Sequence, residues 1–141
     1  MTNLAKLQPG DTLAEVQLAP VSRLDLIKYA GASGDFNPIH TIDAEAEKAG
    51  LPGIIAHGMW TMGNLSKLFT PYHEEGFIQE FTTRFAGMVF LDDVITLKAE
   101  LTEKREDCSL FDAFAEKQDG TRVIKGKVKF YLYNDEEYGF S

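Results

Sequence analysis

The sequence predicts an α+β fold in which a largely antiparallel sheet wraps one apolar helix, and three observations carry that expectation. Residues 57–69 contain Met59, Trp60, Met62, Leu65, Leu68 and Phe69 with Lys67 as the one charge, so apolar side chains occupy more than one helical face and the helix should be buried. From Phe77 onward the pattern changes to period two, as a sheet with one wet face requires. Asp119-Gly120 then supplies a hairpin turn between two such runs.

Ahead of that helix, residues 13–18 read as a short strand following the Pro9-Gly10-Asp11 turn. Ser22 can cap a helix with Asp25 in its first turn and an apolar stripe of Leu24, Ile27 and Tyr29, ending near Gly31, with Gly31 and Gly34 bracketing a small-residue turn. Residues 35–42 form a loop stiffened by Pro38, which moves Asn37 out of the α region. Asp43 can cap a short helix through Lys48, terminated by Gly50.

Behind it, Phe81, Thr83 and Phe85 alternate with polar neighbours, and Ile95, Leu97, Ala99 and Leu101 share one strand face. Residues 110–117 make a third run. The last strand, residues 122–133, points Ile124, Val128, Phe130 and Leu132 one way and Lys125, Lys127 and Lys129 the other.

Composition narrows the function classes. A chain of 141 residues suits one domain over residues 1–141 with a real core. A net charge of −8, partly from Asp135, Glu136 and Glu137 near the C-terminus, disfavours a nucleic-acid partner. With Cys108 the single cysteine, no internal disulfide can form. The first ten residues lack a signal-peptide h-region and no apolar run reaches a membrane span, so a cytoplasmic protein without a membrane partner is expected.

Two places could carry chemistry. Asp35 and His40 lie in the stiffened loop, where a carboxylate and an imidazole can share a water and exchange protons with a substrate; the alternative is a turn cap and a satisfied buried histidine. Ala56-His57-Gly58-Met59 sits where the buried helix begins, and free N–H groups there suit a developing oxyanion, with Gly58 allowing close approach; equally, Gly58 could only permit tight packing. His57 reads as a helix-start or core histidine. His40, His57 and His73 lack metal-ligand spacing and Cys108 is alone, so no metal site is expected, and no serine-hydrolase elbow or Walker loop is present. The lysine stripe could dock an acidic carrier or coenzyme A phosphates, but reads first as a solvated outer face. Cys108 reads as a strand-end residue, and Trp60, Met62 and Phe69 as core or tunnel lining.

The runs Ser33-Gly34-Asp35-Phe36-Asn37-Pro38-Ile39-His40, Ala49-Gly50-Leu51-Pro52 and Ile55-Ala56-His57-Gly58-Met59 resemble the hydratase motif of the MaoC-like family, which includes (R)-specific enoyl-CoA hydratases and 3-hydroxyacyl-ACP dehydratase subunits. The resemblance implies a hot-dog fold with one long central helix, a dimer with the active site near the subunit interface, and hydration of trans-2-enoyl thioesters or dehydration of (R)-3-hydroxyacyl thioesters on an acyl-CoA or acyl-ACP substrate in fatty acid metabolism. The hydration chemistry so implied requires no cofactor. It implies Asp35 and His40 as the catalytic pair, Gly58 as the oxyanion-binding glycine, Ser66 as a helix serine near the site, and Asn37 as a loop-shaping member of the motif. A hot-dog thioesterase is the competing enzyme, disfavoured because residues 57–69 contain no Asp or Glu. A non-catalytic acyl-chain-binding subunit is the other alternative, from which loss of the Asp/His pair would be expected.

Overall fold

The computed structural model describes residues 3–133, so the acidic run Asp135, Glu136 and Glu137 lies outside the described residues. Five antiparallel strands form one curled sheet, ordered β1-β3-β4-β5-β2: β1 (Val16–Gln17), β2 (Gly76–Phe85), β3 (Thr96–Lys104), β4 (Cys108–Glu116) and β5 (Arg122–Leu132). The helices α1 (Arg23–Ser33), α2 (Asp43–Lys48) and α3 (Gly58–Leu65) precede β2. The α+β expectation holds.

The sheet forms where period-two patterning demanded it. Leu97, Ala99 and Leu101 of β3, Phe111, Ala113 and Ala115 of β4, and Ile124, Val128 and Phe130 of β5 are all sealed from solvent. They meet Leu65, Leu68 and Phe69 in one core, where the Phe69 ring stands edge-on to Phe111 at 5.2 Å and stacks near Phe130 at 5.8 Å. Alanines at 99, 113 and 115 keep the middle of the sheet shallow enough for the helix to sit in its curl. Opposite Ala113 stands Gly126, where a Cβ would come within 3.0 Å of the Thr82 carbonyl of the neighbouring strand. Outside, Lys98 pairs with Glu116 at 3.0 Å and Lys127 with Asp112 at 3.5 Å, as the solvated-face reading of the lysines expects. The Asp119-Gly120 turn closes β4 onto β5, with Gly120 at φ +84°.

Several expectations are corrected. The strand expected over residues 13–18 shrinks to the two residues of β1, because Ala14 and Glu15 both face solvent and interrupt the alternation. Its flanks still lie along β3, with Leu13 N–H donating to the Ala99 carbonyl at 3.0 Å and Leu18 N–H to Ile95 at 2.9 Å. α1 is capped as expected by a reciprocal Ser22–Asp25 box, but runs through Gly31 and stops at Gly34 in the left-handed region (φ +77°). Its core face is Leu26 and Ala30, one turn apart, while Leu24 and Ile27 of the expected stripe are exposed and Tyr29 is half-buried. Ile42, not Asp43, occupies the N-cap of α2; the Asp43 carboxylate instead pairs with Arg23 at 2.8 Å and ties α2 to the start of α1.

The central helix is shorter and less enclosed than expected. α3 ends at Leu65, and the chain tightens into 3-10 turns at Ser66–Leu68 and Thr70–Tyr72, the second carrying Pro71. At the changeover the Ser66 hydroxyl donates to the Gly63 carbonyl at 2.7 Å. Thr61, Leu65, Leu68 and Phe69 point into the core, whereas Met59 is 55% exposed, so one face of α3 stays open within the described residues.

Candidate active site

The loop between α1 and α2 is held by a relay of side chains bonding the main chain two residues on. Ser33 Oγ accepts from Asp35 N–H at 3.1 Å, Asp35 Oδ1 from Asn37 N–H at 3.2 Å, and Asn37 Oδ1 from Ile39 N–H at 3.2 Å. Pro38 then opens a 3-10 turn, Pro38–His40. Asn37 therefore shapes the loop, the role the motif left open for it. This rigidity aims Asp35 and His40 at one point.

His40 is 8% exposed, and its Nδ1 lies 2.7 Å from the Ile55 carbonyl. A carbonyl only accepts, so Nδ1 carries the proton and a neutral His40 has its lone pair on Nε2. That Nε2 stands 3.8 Å from Asp35 Oδ2, beyond hydrogen-bond reach, yet one water oxygen can sit about 2.8 Å from both. The Asp35 side chain is 52% exposed, so water reaches the pair.

Ile55 closes the frame. Its N–H donates to Ile39 at 3.1 Å, it bridges to Phe90, and Ala56 N–H donates to Val89 at 2.8 Å. His57 takes the N-cap of α3 without a side-chain cap, which leaves first-turn N–H groups, beginning with Gly58, free to meet an acceptor. Gly58 borders a cleft of about 160 Å³ shared by His40, Thr61, Phe85, Met88 and Val89. A Cβ on Gly58 would lie 3.0 Å from the Phe85 ring, so glycine keeps this wall open. The segment carrying Met88 and Val89 is pinned by Asp93, which accepts from Phe90 N–H at 2.7 Å, Lys117 Nζ at 3.0 Å and Gln118 Nε2 at 2.9 Å. Burial pushes the Asp93 carboxyl up, but these three donors outweigh it and hold the group below its ordinary range.

The structure thus brings Asp35 to His40, and His40 to the cleft that Gly58 borders. It does not bring Ser66 with them: Ser66 lies eight residues along from Gly58, roughly 12 Å at helical rise, and its hydroxyl is spent on Gly63. His57, read only as a helix-start or core histidine, is both, but it also stacks on the His40 ring with centroids 3.9 Å apart. Burial lowers its affinity for a second proton, opposed by the Asp35 carbonyl and reinforced by His40. Asp35, His40 and His57 place ligand-type atoms within 4.8 Å of one another, a proximity the linear spacing of the histidines does not suggest. Both imidazoles already spend one ring N–H on a main-chain carbonyl. Phe85, Met88 and Val89 also line the cleft, and nothing in a strand or loop pattern marks a cleft wall.

Residues 5–121 match the model of a family described as a MaoC like domain. The chain belongs to the MaoC-like family. A curated relative, the fatty acid synthase beta subunit TOXC of Cochliobolus carbonum, is 37% identical over 105 residues, covering 72% of this chain and 5% of its own length. The 3-hydroxybutyryl-CoA dehydratase of Methylorubrum extorquens is 30% identical over 94 residues, 64% of this chain and 59% of that protein. This MaoC-like chain therefore spans only part of these curated relatives. Among solved structures, unliganded R-hydratase PhaJ1 from Pseudomonas aeruginosa superposes with a TM-score of 0.83 at 27% identity, covering 91% of this chain and 83% of its own. The hot-dog architecture is shared with such MaoC-like neighbours. Among the described residues no helix is long and apolar enough to cross a membrane.

Proposed function

We propose that this MaoC-like chain is a hydro-lyase that adds water to trans-2-enoyl thioesters, giving (R)-3-hydroxyacyl thioesters, and catalyses the reverse dehydration, within fatty acid metabolism. The observation that carries the reading is the meeting of Asp35 Oδ2 and His40 Nε2, 3.8 Å apart, beside the uncapped start of α3. A water between them loses a proton to the pair as its oxygen bonds C3, and the pair returns a proton to C2. The electron pair of the C2–C3 double bond moves toward the thioester carbonyl, and Gly58 N–H steadies the enolate-like oxygen at the positive end of the helix. One transition state serves both directions. The dehydratase and hydratase names of the relatives support the same chemistry.

The substrate arrives on coenzyme A or an acyl carrier protein in the cytoplasm, and the working unit is a homodimer or an assembly of dimers. In support, β2 is an edge strand, and Phe36, Met59, Phe85 and Met88, each at least half exposed, form an apolar rim to the site that a second copy would cover. Light scattering should give twice the chain mass at micromolar concentration.

The deciding assay follows enoyl absorbance of crotonyl-CoA together with free thiol. Loss of absorbance without thiol release, abolished in the Asp35→Ala, His40→Ala double variant, is expected. Thiol release without hydration would identify a thioesterase and overturn the proposal, as would full activity in the double variant.

A further inference from the structure

His57 is the buried group that the proposed chemistry leaves unused. It is 2% exposed, and its Nε2 lies 3.1 Å from the main-chain carbonyl of Asp35. Because that carbonyl can only accept, Nε2 must carry a proton, which in the neutral ring leaves the lone pair on Nδ1. Nδ1 is sealed from solvent and has no hydrogen-bond partner among the described residues. A buried acceptor without a partner is a standing cost to the fold, and an aliphatic side chain in its place would avoid it. Folding has a use for the Nε2 donor on the Asp35 carbonyl but offers no further reason for an imidazole here.

The geometry gives one. The flat face of His57 lies against His40, with ring centroids 3.9 Å apart and planes 23° apart, while its edge N–H holds the residue that presents the carboxylate. Tyr29 of α1 also packs against His57, edge to ring, at 4.8 Å. One rigid ring thus touches both members of the acid–base pair, and it is anchored by its own backbone at the N-cap of α3, whose first residue is Gly58.

We propose, building on the hydro-lyase reading, that His57 is the positioning residue that sets the distance and angle between Asp35 and His40 and locks both to the oxyanion end of α3. It acts as a neutral ring throughout. The groups facing it are His40 from the 3-10 turn, Asp35 from the loop and Tyr29 from α1. When His40 takes up a proton, a second cation stacked on it would be repelled, and burial works in the same direction by disfavouring a charged His57. An aliphatic residue has neither a flat face nor a donor, and an amide offers an in-plane donor on a smaller plane at the end of a flexible stem.

The test has two arms. In the ¹⁵N-labelled wild-type chain, side-chain nitrogen spectra at pH 7 should show His57 as the neutral ring protonated on Nε2. An imidazolium or the Nδ1–H form would overturn the proposal, whether or not the chain turns over an enoyl thioester. Kinetically, His57→Phe keeps the flat face without the donor and His57→Gln keeps a donor without the ring. Each should lower kcat of the folded fraction about 10- to 100-fold through misplacement of the pair, with KM little changed and a lower melting temperature from repacking a closed site. A folded variant of either kind with wild-type kcat, in a chain whose wild type hydrates crotonyl-CoA, would overturn it equally. Lack of hydration by the wild type would instead remove the hydro-lyase reading, and the spectrum alone would then decide whether His57 holds its place.

Discussion

Across β3, β4 and β5 the inward side chains are apolar and sealed apart from the buried hydroxyl of Ser109, and the outer face is laced with ion pairs such as Lys98–Glu116. Between residues 33 and 58 the rules invert: Phe36 and Ile42 stand in solvent, two imidazoles are buried, and the Nδ1 of one has no partner among the described residues. The first region spends its residues on a core and the second on geometry. A domain can carry locally unfavourable groups where function needs them, provided that its packing is secure elsewhere.

Substitutions should separate the two regions by what they move. Phe130→Ala removes a fully buried ring that packs against Phe69. It should cost about 3–5 kcal/mol and lower the melting temperature by about 10–20 °C, with kcat of the surviving folded fraction close to wild type. A kcat loss as large as the stability loss would erase the distinction between the regions.

Asp93 joins them, because it fastens the cleft wall to the β4–β5 turn. Asp93→Asn should cost about 2–3 kcal/mol at neutral pH, since Lys117 loses its carboxylate partner. The carboxyl sits below its ordinary range in the folded chain, so its contribution is present above the unfolded-state value, about pH 4. It fades as pH falls through the lower folded value. Urea melts of wild type and variant should therefore differ at pH 7 and converge upon acidification; a gap that widens in acid would contradict the assignment.

Gly58→Ala offers the smallest structural change. The added Cβ would meet the Phe85 ring at 3.0 Å, and that ring is half exposed and free to swing. Stability should shift by less than about 1 kcal/mol, while kcat/KM falls about tenfold or more as the oxyanion wall fills.

The same contrast explains what could be read from the sequence. The inward residues of β5 were legible because pleating turns period two directly into a face. The bulges at Gln79 and Thr102 were not, since each shifts the two-residue phase within a strand, as where the inward positions of β2 pass from Ile78 to Phe81, and too few residues remain beyond it to declare a new register. The packed face of α1 is hidden in the sequence because Leu24 and Ile27 are apolar yet lie outside the core, and the end of α3 is hidden because a 3-10 turn carries the same apolar density as a helix. Asp35 and His40 were legible as a pair because one short loop holds both, and the MaoC-like resemblance gave them roles. His57, Phe85 and Met88 join that site only through tertiary packing, which linear spacing does not encode.

The account stands or falls on Asp35 and His40 acting as one unit on one water. The direct measurement is a double-mutant cycle on crotonyl-CoA hydration with Asp35→Asn, His40→Gln and both together. Each single change should reduce kcat by about 10²–10⁴-fold, and the double variant should fall little further. Independent, multiplying losses, or a single variant that keeps wild-type kcat, would show that the two side chains do not share the reaction.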